Sequence, residues 1–291
     1  MRIMVTNDDG IEAQGIVTLV QTLADWIAEE DGAPRHQLIV IAPDQNYSGA
    51  SAAVGDIFSR EGVDFYRAAI EGAEQVEAFA LDASPALCSI VACRGAFGPR
   101  PDLIVSGINA GINVGNSVLH SGTIGAVLTG SQLGISGVAV SLQARRGADY
   151  RVASALALGL VEELEGAPPG TVLSLNVPAL PMDELKGVRR GRVASAGLIN
   201  EVHRGTPHAH SAMGIGDKGT LALKLGAAVP SLGDVSDEIS DLDDGALVAQ
   251  GYATITELRT VHDDPEPAAE AVIHGALAAI DRRLRLQVSE S

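Results

Sequence analysis

The chain has 291 residues, 46% of them hydrophobic and 20% charged, enough apolar material for the core of one large or two small domains. Twenty Lys and Arg against 37 Asp and Glu leave a net charge of −17, which excludes the positive surface that nucleic-acid polymers and anionic membranes demand. Four Phe, one Trp and four Tyr are too few for the stacking platforms of single-strand binders, and Cys88 and Cys93 are too few for a disulfide scaffold or a four-cysteine zinc site.

Ile3-Met4-Val5 reads as a short buried strand that leaves into the polar turn Asn7-Asp8-Asp9-Gly10, so the opening segment is expected to be neither a signal peptide nor a membrane anchor. Ile16, Leu19, Val20, Leu23 and Ile27 recur at three- and four-residue spacing and predict a helix that covers a sheet. Leu38 to Ile41 is a second strand, running into Ala42-Pro43-Asp44-Gln45-Asn46, and strand, helix, strand implies a parallel crossover. Ser51 to Leu81 mixes β-like runs with charges and has no clear period. Cys88 and Cys93 lie in an apolar segment and read as buried reduced thiols of a cytoplasmic protein.

Ser84-Pro85 is a cap followed by proline at the first helical position, opening a helix through Val91. Leu103 to Val105 is a third strand, followed by Ser106-Gly107-Ile108-Asn109. Leu103 to Ala144 lacks Asp, Glu, Lys and Arg, but Asn109, Asn113, Asn116, His120 and repeated glycines break it up, so it is not read as a membrane span. Further strands are expected at Val138 to Leu142 and Val172 to Val177, and helices from about Ile124 and from Val152 to Leu164. This alternation predicts an α/β fold, a doubly wound, mostly parallel sheet between two helical layers.

Beyond about Leu185 the texture changes. Gly187 to Gly216 is expected to form a long loop or extended arm, the six acids between Asp234 and Asp244 a solvated surface segment, Tyr252 to Leu258 a strand, and Ile273, Leu277, Ile280 and Leu284 a closing helix. The division expected is a core over residues 1–185 and an extension over 186–291 that packs back on the core or on a partner subunit.

In a doubly wound sheet the carboxyl ends of the parallel strands share one edge, where ligands bind, so the loops at Asn7 to Gly10, Asp44 to Gly49 and Ser106 to Asn109 should converge. Asp8 and Asp9 turned to one site would repel by about 4 kcal/mol at an effective dielectric near 20. No Lys or Arg lies in the three loops, so the pair either shares a proton or holds a divalent cation. Oxygens of Asp8, Asp9, Ser48 and Asn109 suit magnesium, manganese or calcium better than zinc, although Asp8-Asp9-Gly10 alone is also what a turn with capping carboxylates looks like.

Ser121-Gly122-Thr123 before a helix is either an ordinary N-cap or an anion pocket suited to phosphate. His120 is either a general acid or a packed neutral histidine, and His208 with His210 forms an H-x-H pair in the arm. The dinucleotide fingerprint and the G-x-S-x-G elbow are missing, which disfavours a nicotinamide cofactor and a serine esterase.

Taken together, VTNDDGI at Val5 to Ile11, APDQNYSGAS at Ala42 to Ser51 and PDLIVSGINAGINVGNSVLHSGTIGA at Pro101 to Ala126 resemble the SurE family of survival-protein nucleotidases; LNVPALP at Leu175 to Pro181 and GYATITEL at Gly251 to Leu258 fit less specifically. The resemblance implies a Rossmann-like, three-layer, metal-dependent phosphatase acting on nucleoside 5′- and 3′-monophosphates and on short polyphosphate. It implies one Mg2+ or Mn2+ per subunit, held by Asp8, Asp9, Ser48 and Asn109, and a homodimer or homotetramer built through the C-terminal arm.

On this reading Asp8, Asp9 and Asn109 are catalytic, and Asn46, Asn113, Ser121, Gly122 and Thr123 bind phosphate or orient water. Gln14 stands where the family usually has proline, Leu87 where it often has aspartate, and Arg189 to Gly216 lacks the aromatics usual in the family's arm. The competing reading is a non-catalytic nucleotide- or metal-binding protein on the same fold.

Overall fold

The computed structural model describes residues 1–28, 34–57, 59, 61–194, 199–204, 221–225, 242–261, 274 and 276. The chain divides into two units, Met1–Arg259 and Thr260–Ser291, and the architecture that follows is that of the first.

Its elements run β1 (Arg2–Thr6), α1 (Gln14–Ala28), β2 (Gln37–Pro43), β3 (Phe65–Ala68), β4 (Glu77–Leu81), α2 (Pro85–Cys93) and β5 (Leu103–Ala110), then a 3-10 turn at Gly115–His120. They continue with α3 (Gly122–Gln132), β6 (Ser136–Leu142), α4 (Tyr150–Leu164), β7 (Val172–Val177), a short 3-10 turn, β8 (Val188–Arg190), β9 (Ile199–Arg204), β10 (Leu221–Leu225), α5 (Asp244–Ala249) and β11 (Ala253–Leu258). Nine strands form one sheet in the order β3-β4-β2-β1-β5-β6-β7-β11-β8. The five-strand run β4-β2-β1-β5-β6 and its neighbour β7 are parallel, whereas β3 on β4 and β11 on β7 are antiparallel.

The two-residue period of β1 explains both layers. Ile3 and Val5 point into one core with Ile16, Leu19, Val20 and Leu23 of α1 and Val152, Ala157 and Val161 of α4. Met4 points the other way, to Leu87, Cys88 and Ala92 of α2 and Ile124 and Val127 of α3. A strand buried on both faces needs the continuous apolar run seen here, and each such large side chain contributes about 1.5–3 kcal/mol.

The expected caps form: Ser84 Oγ accepts the Leu87 N–H with Pro85 at the first helical position, and Ser121 Oγ accepts the Ile124 N–H. The period-free stretch before Leu81 holds the edge strand β3, whose Phe65 and Tyr66 are 59% and 51% exposed, so no buried face marks it in the sequence. The segment 103–144 folds as β5, a 3-10 turn, α3 and β6, and no helix among the described residues is long and apolar enough to cross a membrane.

Strand β5 runs farther than Val105, to Ala110, because a bulge lets it re-pair with β6: Ser106 faces Ala139 and Asn109 faces Ser141, so three steps on one strand match two on the other. Gly107 sits in the bulge at φ +139°, where a Cβ would lie 2.4 Å from the Val140 carbonyl oxygen.

Downstream, the described part of the expected arm is not all loop. β8 pairs with β11 at the sheet edge, and β9 pairs antiparallel with β10. The predicted strand at Tyr252 to Leu258 is β11. His208, His210, the acids from Asp234 to Asp241 and the closing helix lie outside the described residues, apart from helical His274 and Ala276. Asp244 corrects the reading of the acidic segment as solvated. It is 1% exposed, because its carboxylate is wanted inside by three backbone N–H groups, those of Gly115, Ala194 and Gly245.

Candidate active site

The three loops meet where the sheet topology predicts. The Tyr47 N–H donates to the Asp8 backbone oxygen at 2.7 Å and the Ile11 N–H to the Pro43 oxygen at 2.9 Å, tying the first loop to the second. The Ala110 N–H donates to Asp9 Oδ2 at 3.0 Å and Asn46 Nδ2 to Asp9 Oδ1 at 3.2 Å, so one carboxylate draws in both the third and the second loops. Ser48 follows at once, its N–H held by Asn46 Oδ1 at 2.8 Å. Asn109 immediately precedes Ala110 and is half-buried, with its own Nδ2 donating to the Gly111 oxygen at 2.6 Å. Asn7 closes the first turn through Nδ2 to the Gly10 oxygen at 2.7 Å.

A fourth element completes the group. Thr123 at the start of α3 donates its hydroxyl to Asp8 Oδ1 at 2.6 Å, and its backbone N–H also favours the charged form of that carboxylate. A Cβ on Gly122 would stand 2.8 Å from Asp8 Cβ and 3.0 Å from Oδ2, and one on Gly125 only 2.2 Å from the Ser51 oxygen. Glycine at these two positions lets α3 press against both the paired acids and the second loop. The same contact is sealed by Ser51, which donates Oγ to the Leu119 oxygen and its N–H to the His120 oxygen.

Burial pushes the Asp8 carboxyl above the usual range, and the Asp9 charge adds to the rise, against the opposing hydrogen bond from Thr123. Among the described residues no Lys or Arg is paired with Asp8 or Asp9, and no group of three or more His, Cys, Asp and Glu converges anywhere. Any ion bound at the two acids therefore has to complete its shell with neutral oxygens, such as those of Ser48 and Asn109. Two adjacent carboxylates, one of them buried and without a cation, in an all-oxygen donor set fit a hard divalent ion.

The predicted phosphate contacts are placed differently from one another. Asn46 is exposed beside Asp9 and Gly122 faces Asp8, as a site role requires. Thr123 is turned to Asp8 instead of an open anion pocket, because the buried acid needs its hydroxyl. The Ser121 hydroxyl is the N-cap. Asn113 is buried: its Nδ2 donates to Ser141 Oγ at 2.8 Å, and its backbone exchanges hydrogen bonds with Asn176, so it braces the glycine-rich loop behind Asn109. His120 is exposed and not packed.

Sequence reasoning missed the Thr123–Asp8 bond, Asp244, and the loop after β6, which brings Arg145 and Tyr150 to the same sheet edge. The last had a signal, since every parallel strand of the sheet ends there. Burial, and then the Asp9 charge, hold the Tyr150 phenol above its usual range.

Comparison with known proteins agrees with the geometry. A 5′/3′-nucleotidase SurE of Yersinia enterocolitica is 30% identical over 296 residues, covering 96% of this chain and 99% of that protein. The protein of the same name from Citrobacter koseri is 36% identical over 204 residues, 69% of this chain and 73% of its own. The crystal structure of the SurE protein from Aquifex aeolicus superposes with a TM-score of 0.68 at 23% identity, covering 91% of this chain and 95% of that one, and so shares the fold. The family model Survival protein SurE matches residues 3–198, a span that holds all four loops of the site, and this chain belongs to the Survival protein SurE family.

Proposed function

We infer that this chain is a 5′/3′-nucleotidase, a phosphoric monoester hydrolase that converts nucleoside monophosphates to nucleoside and phosphate. The observation that carries this reading is the Asp8–Asp9 pair, lodged where four loops meet and offset by no cation of the described chain. Asp8, Asp9, Ser48 and Asn109 are proposed to hold one Mg2+ or Mn2+. When bound, such an ion polarises a phosphate oxygen and acidifies a water beside it.

The protein's own groups set the geometry. The Thr123 hydroxyl fixes Asp8 Oδ1, while Asn46 and the Ala110 N–H fix the two oxygens of Asp9, so both carboxylates are oriented before any ligand arrives. The Gly122 amide, at the positive end of α3, and the Asn46 side chain are proposed to receive phosphate oxygens, with Ser121 holding the helix start and Asn113 the loop behind. The buried thiols Cys88 and Cys93 suit a reducing, cytoplasmic setting, and a homodimer or homotetramer built through the arm is proposed with it.

The test is phosphate release from a nucleoside monophosphate with manganese, then with excess chelator. Release is expected with the metal and none with the chelator; undiminished turnover in chelator overturns the mechanism, and nucleotide binding without release under manganese favours a non-catalytic binding protein.

A further inference from the structure

Two cavities flank the paired acids at the carboxyl edge of the sheet. One, about 270 Å3, lies beside the second loop, lined by Tyr47 and the acids Asp56, Glu61 and Asp82, with no cation among its described lining residues. The other, about 360 Å3, lies on the opposite flank between the start of α1 and the loop from β6 to α4. Its walls include Ala110, Gln14, Gln143, Ala144, Arg145 and Tyr150. Ala110 ties this second cavity to the site, because the N–H of the same residue holds Asp9 Oδ2 at 3.0 Å. The Tyr150 ring lies against Gly15, whose Cβ would stand 3.2 Å from the ring and 2.0 Å from the Ile108 oxygen, so the ring is set beside the strand that carries Asn109.

We propose that this second cavity is the nucleoside subsite of the enzyme. The proposal rests on the nucleotidase reading and adds where the substrate's non-phosphate end lies. Its size is that of a small-molecule pocket, and Leu142 and Ala148 join several polar side chains in its lining. The electrostatics choose between the flanks. A bound nucleotide is an anion, and a wall of three acids repels it, whereas Arg145 attracts it and offers five N–H donors to base carbonyl and ring-nitrogen acceptors. Gln14 and Gln143 add amides that donate or accept, and Tyr150 gives a ring edge to pack against. Gln14, the residue that departs from the family's proline, thus becomes a specificity element of this chain.

The test uses the full chain with manganese and the variants Arg145→Ala, Gln14→Ala and Ala144→Trp, all at exposed positions. Substrates are adenosine and guanosine monophosphates and p-nitrophenyl phosphate, which has no nucleoside; calorimetry follows binding of adenosine monophosphate. Arg145→Ala is expected to raise KM for the nucleotides about tenfold with kcat within about twofold, the loss of one charged hydrogen-bond donor, while KM for p-nitrophenyl phosphate stays within about twofold. Ala144→Trp, which fills the cleft, is expected to remove nucleotide binding and spare p-nitrophenyl phosphate.

Unchanged nucleotide KM in all three variants overturns the subsite and leaves the nucleotidase reading standing, as does an equal rise for p-nitrophenyl phosphate, which would make Arg145 a phosphate contact. If the unaltered chain binds adenosine monophosphate and Ala144→Trp abolishes that binding, yet no phosphate is released from any substrate, the subsite stands and the hydrolase reading falls.

Discussion

Asp8 and Asp244 are withdrawn from water to nearly the same degree, 3% and 1% exposed, and burial pushes both carboxyl groups above the usual range. Their surroundings differ. Both oxygens of Asp244 accept the Gly115 N–H at 3.1 Å, and Oδ1 also takes the Gly245 N–H at 2.8 Å and that of Ala194 at 3.3 Å. Two of its donors come from segments distant in sequence, Gly115 and Ala194, so the carboxylate works as a fastener. Asp8 takes its side-chain hydrogen bond from Thr123, and although each acid is raised further by an adjacent carboxylate, Asp9 or Asp243, it is Asp9 that draws two further loops to its side. Depth alone therefore does not distinguish an acid proposed to hold a ligand from one that fastens the fold.

Neutralising each acid separates these roles most sharply. Asp8→Asn keeps an oxygen for Thr123 but removes a charge, so phosphate release should fall by more than about a hundredfold, since losing an outer partner of a metal ligand already costs about 10- to 100-fold. The metal-free variant should meanwhile melt about 2–4 °C higher, as the repulsion with Asp9 is gone. A variant that keeps full turnover would erase the contrast.

Asp244→Ala should do the opposite. It strands backbone N–H groups that the carboxylate holds, so urea unfolding should show a loss of about 3 kcal/mol or more, with turnover per folded molecule changed little. Thr123→Val, which removes the one side-chain donor to Asp8 among the described residues, should weaken manganese binding in calorimetry by about 10- to 100-fold, and Thr123→Ser should restore most of it.

The smallest effect is in the pH dependence. Because the folded Asp244 carboxyl lies above its unfolded value near 3.8, the folded state holds its proton longer. That stabilisation is present below pH 3.8 and is lost as the pH rises through the folded value. The stability of the unaltered chain relative to Asp244→Asn should therefore decline as the pH is raised from about 4, measured by urea unfolding at each pH.

The sequence reveals Asp8 and not Asp244 for a physical reason. Asp8, Asn46, Ser48 and Asn109 follow directly on apolar runs that can only be buried parallel strands, and the topology of such a sheet then brings their loops together. The Thr123 hydroxyl reaches Asp8 across 115 positions, and a threonine at a helix start has the same look whether or not it serves an acid. Asp244 closes a run of acids with no period, and what buries it is Gly115, 129 positions away, and Ala194, 50 away. The boundaries of α1 to α4 were legible to within a few residues because caps and stripes are local, whereas α5 was not, and neither was β3, since an edge strand with two exposed aromatics buries no alternating face. The bulge at Gly107 likewise depends on a carbonyl of the neighbouring strand.

Strand β11 has a practical corollary. It arrives from beyond residue 250 and caps β7, whose Leu175 and Val177 are buried, in antiparallel register. A truncation made just after β7 would strip that cover and leave a row of unpaired amides and carbonyls beside an apolar face, a template for aggregation. A minimal catalyst cut from this protein therefore has to keep the distal strand, although none of the proposed site residues lies on it.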